Sequence, residues 1–150
     1  MKKWKKLLIA AAVLFVIGVA AALIVYKYAI NKPHPDYVEA KVDTVVRAKR
    51  LWTDFTANAE VANQRYTGKV LEIKGTIMRV EMADTLCIVV FAYKAGDFGD
   101  EGVRVTMLPQ YIQQAKQINP FKTVKLKGLC TGFNGTDVII EKGSIVEPQK

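Results

Sequence analysis

The chain has 150 residues, 22 Lys and Arg against 14 Asp and Glu, and a formal charge of +8, with 51% hydrophobic residues. That composition excludes a disordered chain, and the length allows one modest domain beside a single long apolar segment, too little for a two-domain enzyme. One histidine, His34, excludes chemistry that needs two imidazoles.

Charge is unevenly placed: residues 1–26 hold four lysines and no acid, whereas residues 59–150 hold twelve bases and ten acids. Half of the net positive charge therefore sits in residues 1–26, and the overall basic balance is on its own a poor sign of nucleic-acid binding.

Leu7 to Tyr26 reads LLIAAAVLFVIGVAAALIVY, with only Gly18 outside the hydrophobic set. As a helix it would span roughly 30 Å, the thickness of a bilayer's hydrocarbon layer. Lys2, Lys3, Lys5 and Lys6 precede it, so the positive-inside rule predicts a single-pass anchor in the cytoplasmic membrane, N-terminus in the cytoplasm and the rest outside. The apolar stretch continues past Ala20, Ala21 and Ala22 through Leu23, Ile24 and Val25, too long for a cleaved signal peptide. The anchor, residues 1–30, is followed by a linker at 31–35, where Pro33 and Pro35 block helix and His34 lacks a second ligand for a metal.

Asp36 and Glu39 have the spacing of a capping box, and Val38, Val42, Val45, Ala48, Trp52, Phe55, Ala59, Ala62 and Tyr66 recur at threes and fours. This predicts an amphipathic helical segment over 36–66, broken near Asn58, with Val45, Trp52 and Phe55 packed on the domain downstream.

From Thr67 the period changes to two. A first strand carries Leu71, Ile73 and Ile77, with Gly75 where a long strand bends, and Leu86 to Tyr93 forms a second. An acidic loop with Gly96 and Gly99 leads to a third strand over Val103, Val105 and Met107. Pro109 opens a short helix that ends at Asn119-Pro120. Val124, Leu126 and Cys130 mark a fourth strand, and the Asn134-Gly135 turn leads to a fifth over 137–146. Three strands, a helix and a hairpin give a mainly β domain over 67–150 in the order of a five-stranded OB-fold barrel. A small sandwich or SH3-like barrel would leave the helix unexplained.

The run Phe55 to Gly75 (FTANAEVANQRYTGKVLEIKG), with Lys127-Gly128-Leu129-Cys130-Thr131-Gly132 and Asp137-Val138-Ile139-Ile140, resembles the tRNA_anti-like family of bacterial OB-fold proteins. So does the Asn31-Lys32-Pro33-His34 stretch behind an apolar segment. The resemblance implies an OB-fold attached to a bacterial envelope and implies no settled activity.

Candidate chemistry is sparse. Asp97, Asp100 and Glu101 could hold Ca²⁺ but lack the alternating ligand spacing, and a solvated loop explains them better. Asn134-Gly135-Thr136 matches a glycosylation sequon that the turn already accounts for. Cys87 and Cys130 fall toward opposite ends of an OB barrel and are expected to stay unpaired. No nucleophile with a base and no paired carboxylates stand out, so the expectation is a non-catalytic binding module without metal or cofactor. Its preferred ligand is a protein or glycan, met on strands two and three by Tyr93, Lys94, Arg104 and Thr106. The alternative is single-stranded nucleic acid, met by Phe121, Lys122, Lys125 and Lys127.

Overall fold

The computed structural model describes residues 2–26 and 36–146, as two separate units. The predicted linker at 31–35, with His34, lies outside the described residues. The first unit is one helix, α1 (Lys2–Val25), with no buried residue along its length, long and apolar enough to cross a membrane.

The second unit is a barrel with helices at its ends. In chain order it contains β1 (Thr44–Arg47), α2 (Ala48–Ala57), α3 (Ala59–Tyr66), β2 (Val70–Thr76), β3 (Arg79–Ala83), β4 (Leu86–Gly96) and β5 (Gly99–Met107). A 3₁₀ turn (Pro109–Tyr111), α4 (Ile112–Lys116), β6 (Thr123–Phe133) and β7 (Val138–Ile145) complete it.

The sheet runs β1-β2-β6-β7-β5-β4-β3. β2 and β3 are two halves of one strand interrupted at Ile77-Met78: the first half pairs with β6 and the second with β4. That continuity closes the sheet, and apart from the added β1 it leaves five strands joined as an OB barrel joins them, with β5 and β7 parallel and the other barrel pairs antiparallel. The seven strands are thus the expected five, one of them split, plus β1.

Gly75 does not mark the break, which falls two residues later. Its missing side chain serves packing instead: a Cβ there would lie 2.9 Å from both the Ala48 Cβ and Phe91 Cδ1, so glycine lets α2 and Phe91 close on the strand.

The stretch before α2 departs from the helical expectation. Asp36 caps only a turn, its carboxylate accepting from the Val38 N–H at 2.9 Å. Thr44, Val45, Val46 and Arg47 then form β1, parallel to Leu71–Lys74, and three of the four are β-branched. Their β-branched side chains favour strand over helix, and Val45, expected in the core, is 68% exposed. The core face of the helices comprises Ala48, Leu51, Phe55, Ala62 and Tyr66. Leu51, absent from the sequence stripe, is fully buried there. The break at Asn58 is real, and its side chain caps α3 by accepting from the Val61 N–H at 3.1 Å.

Phe55 stacks on Phe133 at 5.6 Å and meets Tyr66 at 6.0 Å, which ties both helices to β6. Burying a ring of that size contributes about 2–3 kcal/mol. Trp52 anchors α2 to the β6–β7 turn, its indole N–H donating to the Thr136 carbonyl at 3.0 Å. Cys87 and Cys130 are both free and buried, and burial pushes both thiols up.

Candidate functional site

Two outward faces of the barrel carry the residues singled out in the sequence, and they are built differently. On β3, β4 and β5, Val90 stands in register between Arg79 and Arg104. Glu81 joins the two arginines, at 2.7 Å from Arg79 Nε and 2.9 Å from Arg104 Nη1. Asp100 takes the other arm of Arg79 at 2.6 Å, and Asp137 takes Arg104 Nε at 3.0 Å. Asp137 also accepts from the buried Gly102 N–H at 2.9 Å. This lattice of ion pairs explains why Val90, on the outward parity of its strand, is only 1% exposed. It also answers the apolar run of the second strand, because Val89 and Phe91 fill the core while charged side chains cover Val90.

Burial pushes the Glu81 carboxyl up, but the guanidinium groups of Arg79 and Arg104 outweigh it and hold the group below its ordinary value. The two arginines are thereby committed within the fold.

Of the remaining residues expected on this face, Tyr93 is taken into the fold, while Lys94 stays 62% exposed. Lys94, beyond a bulge in β4, pairs with Glu101 at 3.3 Å. Tyr93 turns against Trp52, ring centroids 6.0 Å apart, and burial pushes its hydroxyl up to about 12. Thr106 is half-buried opposite Ile88. The acidic loop is a tight hairpin tip at Asp97-Phe98, bordering a cleft of about 260 Å³ with Arg104, Thr136 and Asp137 on its wall. Asp100 and Glu101 spend their charge on Arg79 and Lys94. Asn134 is occupied by its own turn, its side-chain oxygen accepting from the N–H groups of Thr136 and Asp137.

The second face lies across β1, β2 and β6. Here Arg47 registers with Lys74 and Lys74 with Lys125, which places three bases in one cross-strand row. Neighbouring strands lie about 4.8 Å apart, so the row is roughly 10 Å long. Among the described residues Arg47, Lys74 and Lys122 form no ion pair, while Lys125 approaches Glu72 only at 3.7 Å and stays 47% exposed. Beside the row opens a cleft of about 420 Å³, lined by Lys74, Thr123, Val124, Lys125, Ile145 and Val146. Its walls are apolar where Val124 and Ile145 contribute, and its rim is cationic.

Of the four residues proposed from sequence for this face, three are present at the surface. Phe121 and Lys122 lie just ahead of β6 and Lys125 within it. Lys127 is the exception, since its ammonium donates to the carbonyls of Val38 and Ala40 and pins the segment that leads into β1. Arg47 and Lys74 were missed. Only the register across β1, β2 and β6 brings the three bases together.

A closed five-strand barrel of this connectivity, with an apolar helix ahead of it, defines an OB-fold protein. Within that class, the tRNA_anti-like family model matches residues 1–145, and the chain belongs to that family. Among solved structures, a lipoprotein of Klebsiella pneumoniae provisionally named as nucleic acid-binding is similar with a TM-score of 0.54 at 16% identity, over 77% of this chain and 100% of that one. The asparaginyl-tRNA synthetase of Pyrococcus horikoshii, in complex with asparaginyl-adenylate, matches at a TM-score of 0.36 and 14% identity, over 55% of this chain and only 20% of its own. No curated protein matches.

Proposed function

We propose that the protein is a non-catalytic OB-fold module, held at a membrane by α1, that binds single-stranded nucleic acid across the outer face of β1, β2 and β6. The observation that carries this reading is the Arg47–Lys74–Lys125 row on the edge of the apolar-walled cleft. A phosphate backbone gives most of its binding free energy to cations that are free to displace its counterions, and sequence-independent single-strand sites pair such cations with surfaces that accept bases. The similar fold of the Klebsiella lipoprotein, with the role its name proposes, supports the same reading. A protein or glycan on the β3–β5 face loses its support, because Arg104 and Tyr93 are engaged within the fold.

The four lysines in the first turns of α1 orient the anchor with its N-terminus in the cytoplasm, so the barrel and the strand it binds are extracytoplasmic. C-terminal fusions check this: alkaline phosphatase should be active and green fluorescent protein dark, and the reverse would turn the topology around.

The binding test uses the full chain in phosphatidylcholine nanodiscs with a fluorescent twelve-residue oligothymidylate. Anisotropy should report binding at 50 mM salt that weakens with a log–log slope of about −2 to −3, as three or four neutralised phosphates give. Absence of binding at that salt, or binding indifferent to salt, would overturn the proposal.

A further inference from the structure

Phe121 is placed as no core residue is. Its ring is 72% exposed, so its position gains little from burial. Its φ is +65°, the left-handed region that bulky side chains rarely adopt. Yet the backbone holds it there: the Phe121 N–H donates to the Ile77 carbonyl at 2.8 Å, and the Ile77 N–H donates to the Lys122 carbonyl at 3.0 Å. Those two bonds continue the ladder of β2 and β6 by one step beyond Thr76 and Thr123, whose hydroxyls are 3.1 Å apart.

The strip from Lys125 to Phe121 therefore runs over the start of β6 and the two residues ahead of it, four steps and at most roughly 13 Å. At one end stands the cationic row, in the middle two exposed hydroxyls, and at the other Lys122 with an exposed ring. A strained backbone under an unburied aromatic side chain is the pattern of a site and not of a packing solution. The neighbouring cations select a polyanion as the occupant, and the ring selects the part of that polyanion with an aromatic face.

We infer that Phe121 is the platform on which a nucleobase stacks, one end of a single-strand track whose other end is the Arg47–Lys74–Lys125 row. This deepens the nucleic-acid reading and rests on it. Stacking accepts any base, so the track is tolerant of sequence and requires an unpaired strand.

The experiment compares oligothymidylate with an abasic strand of the same length, so that phosphates are constant and only bases differ. Full-length protein in phosphatidylcholine nanodiscs should bind oligothymidylate more tightly than the abasic strand. Phe121→Asn, a residue that tolerates the left-handed conformation, should lower affinity for oligothymidylate roughly 5- to 150-fold and leave the abasic strand unchanged. Its thermal midpoint should equal or exceed that of the parent, which separates a lost platform from a damaged fold. Phe121→Trp should retain binding and show fluorescence quenched by oligothymidylate but not by the abasic strand. If the parent protein binds both strands and Phe121→Asn binds oligothymidylate as tightly as the parent, the platform is refuted while the cationic row stands. If the parent binds neither, the nucleic-acid reading falls and the platform with it.

Discussion

The β3–β5 face and the β1–β2–β6 face both present arginine or lysine on outward strand positions, and they differ in what those cations are already doing. On the first, Arg79, Arg104 and Lys94 face Glu81, Asp100, Asp137 and Glu101 at 2.6–3.3 Å. On the second, Arg47, Lys74 and Lys122 form no ion pair among the described residues, and Lys125 has Glu72 only at 3.7 Å. Exposed pairs are individually weak, but a connected set lying over a buried valine seals a surface. The commitment of a charge, more than its presence, decides which side of a barrel is open to a ligand.

The difference between the faces breaks most sharply at Asp137. Asp137→Ala removes the acceptor of the buried Gly102 N–H and one of the two carboxylates that hold Arg104, and should cost about 1–3 kcal/mol in urea unfolding of the detergent-solubilised full chain. A loss below about 0.5 kcal/mol would mean the lattice is ornamental.

On the open face the effect should be on binding and not on folding. Lys74→Glu with Lys125→Glu should weaken oligothymidylate binding about 30-fold or more at 50 mM salt and flatten the salt slope by about 1.4, with stability within about 0.5 kcal/mol. Arg79→Gln is the counterpart on the sealed face and should leave affinity unchanged. Equal losses in both variants would erase the distinction between the faces.

Acid should loosen the sealed face. The Glu81 carboxyl lies below its ordinary 4.5, with burial raising it and the two arginines lowering it by more, so its contribution is present above pH 4.5 and is lost as pH falls through the lower folded value. Unfolding followed from pH 6 to pH 3 should steepen less in Glu81→Gln than in the parent. Alkali should act at Tyr93. Burial raises its hydroxyl from 10.0 to about 12, so its contribution is intact below pH 10 and fades as pH rises toward 12. Tyr93→Phe should show a shallower alkaline decline, and an unchanged slope would place the ring in water.

Distance along the chain separates what the sequence disclosed from what it hid. The barrel order was legible because strand alternation, the Pro109 turn and Asn134-Gly135 are local signals. The helical reading of 36–47 failed because a spacing of threes and fours in Val38, Val42 and Val45 imitates a helix, while the partner that makes a strand of Thr44–Arg47 lies 27 residues on. Arg104 read as a ligand handle because its acids are 23 and 33 residues away, and Lys127 read as a phosphate contact because the carbonyls it holds are 87 and 89 residues away. The same non-locality concealed the open row.

β1 has a mechanical consequence. The segment behind it is fastened three ways: the Asp43 N–H bonds the Val70 carbonyl at 2.8 Å, the Asp43 carboxylate accepts from the Val70 N–H at 2.9 Å, and Lys127 grips Val38 and Ala40. β1 runs parallel to β2, and these fastenings lie on the chain between residue 36 and the first bonds of β1 to β2, so a pull arriving from residue 36 meets them first. A tug on the tether would therefore be borne by this clasp before it could pry the barrel seam between β2 and β6.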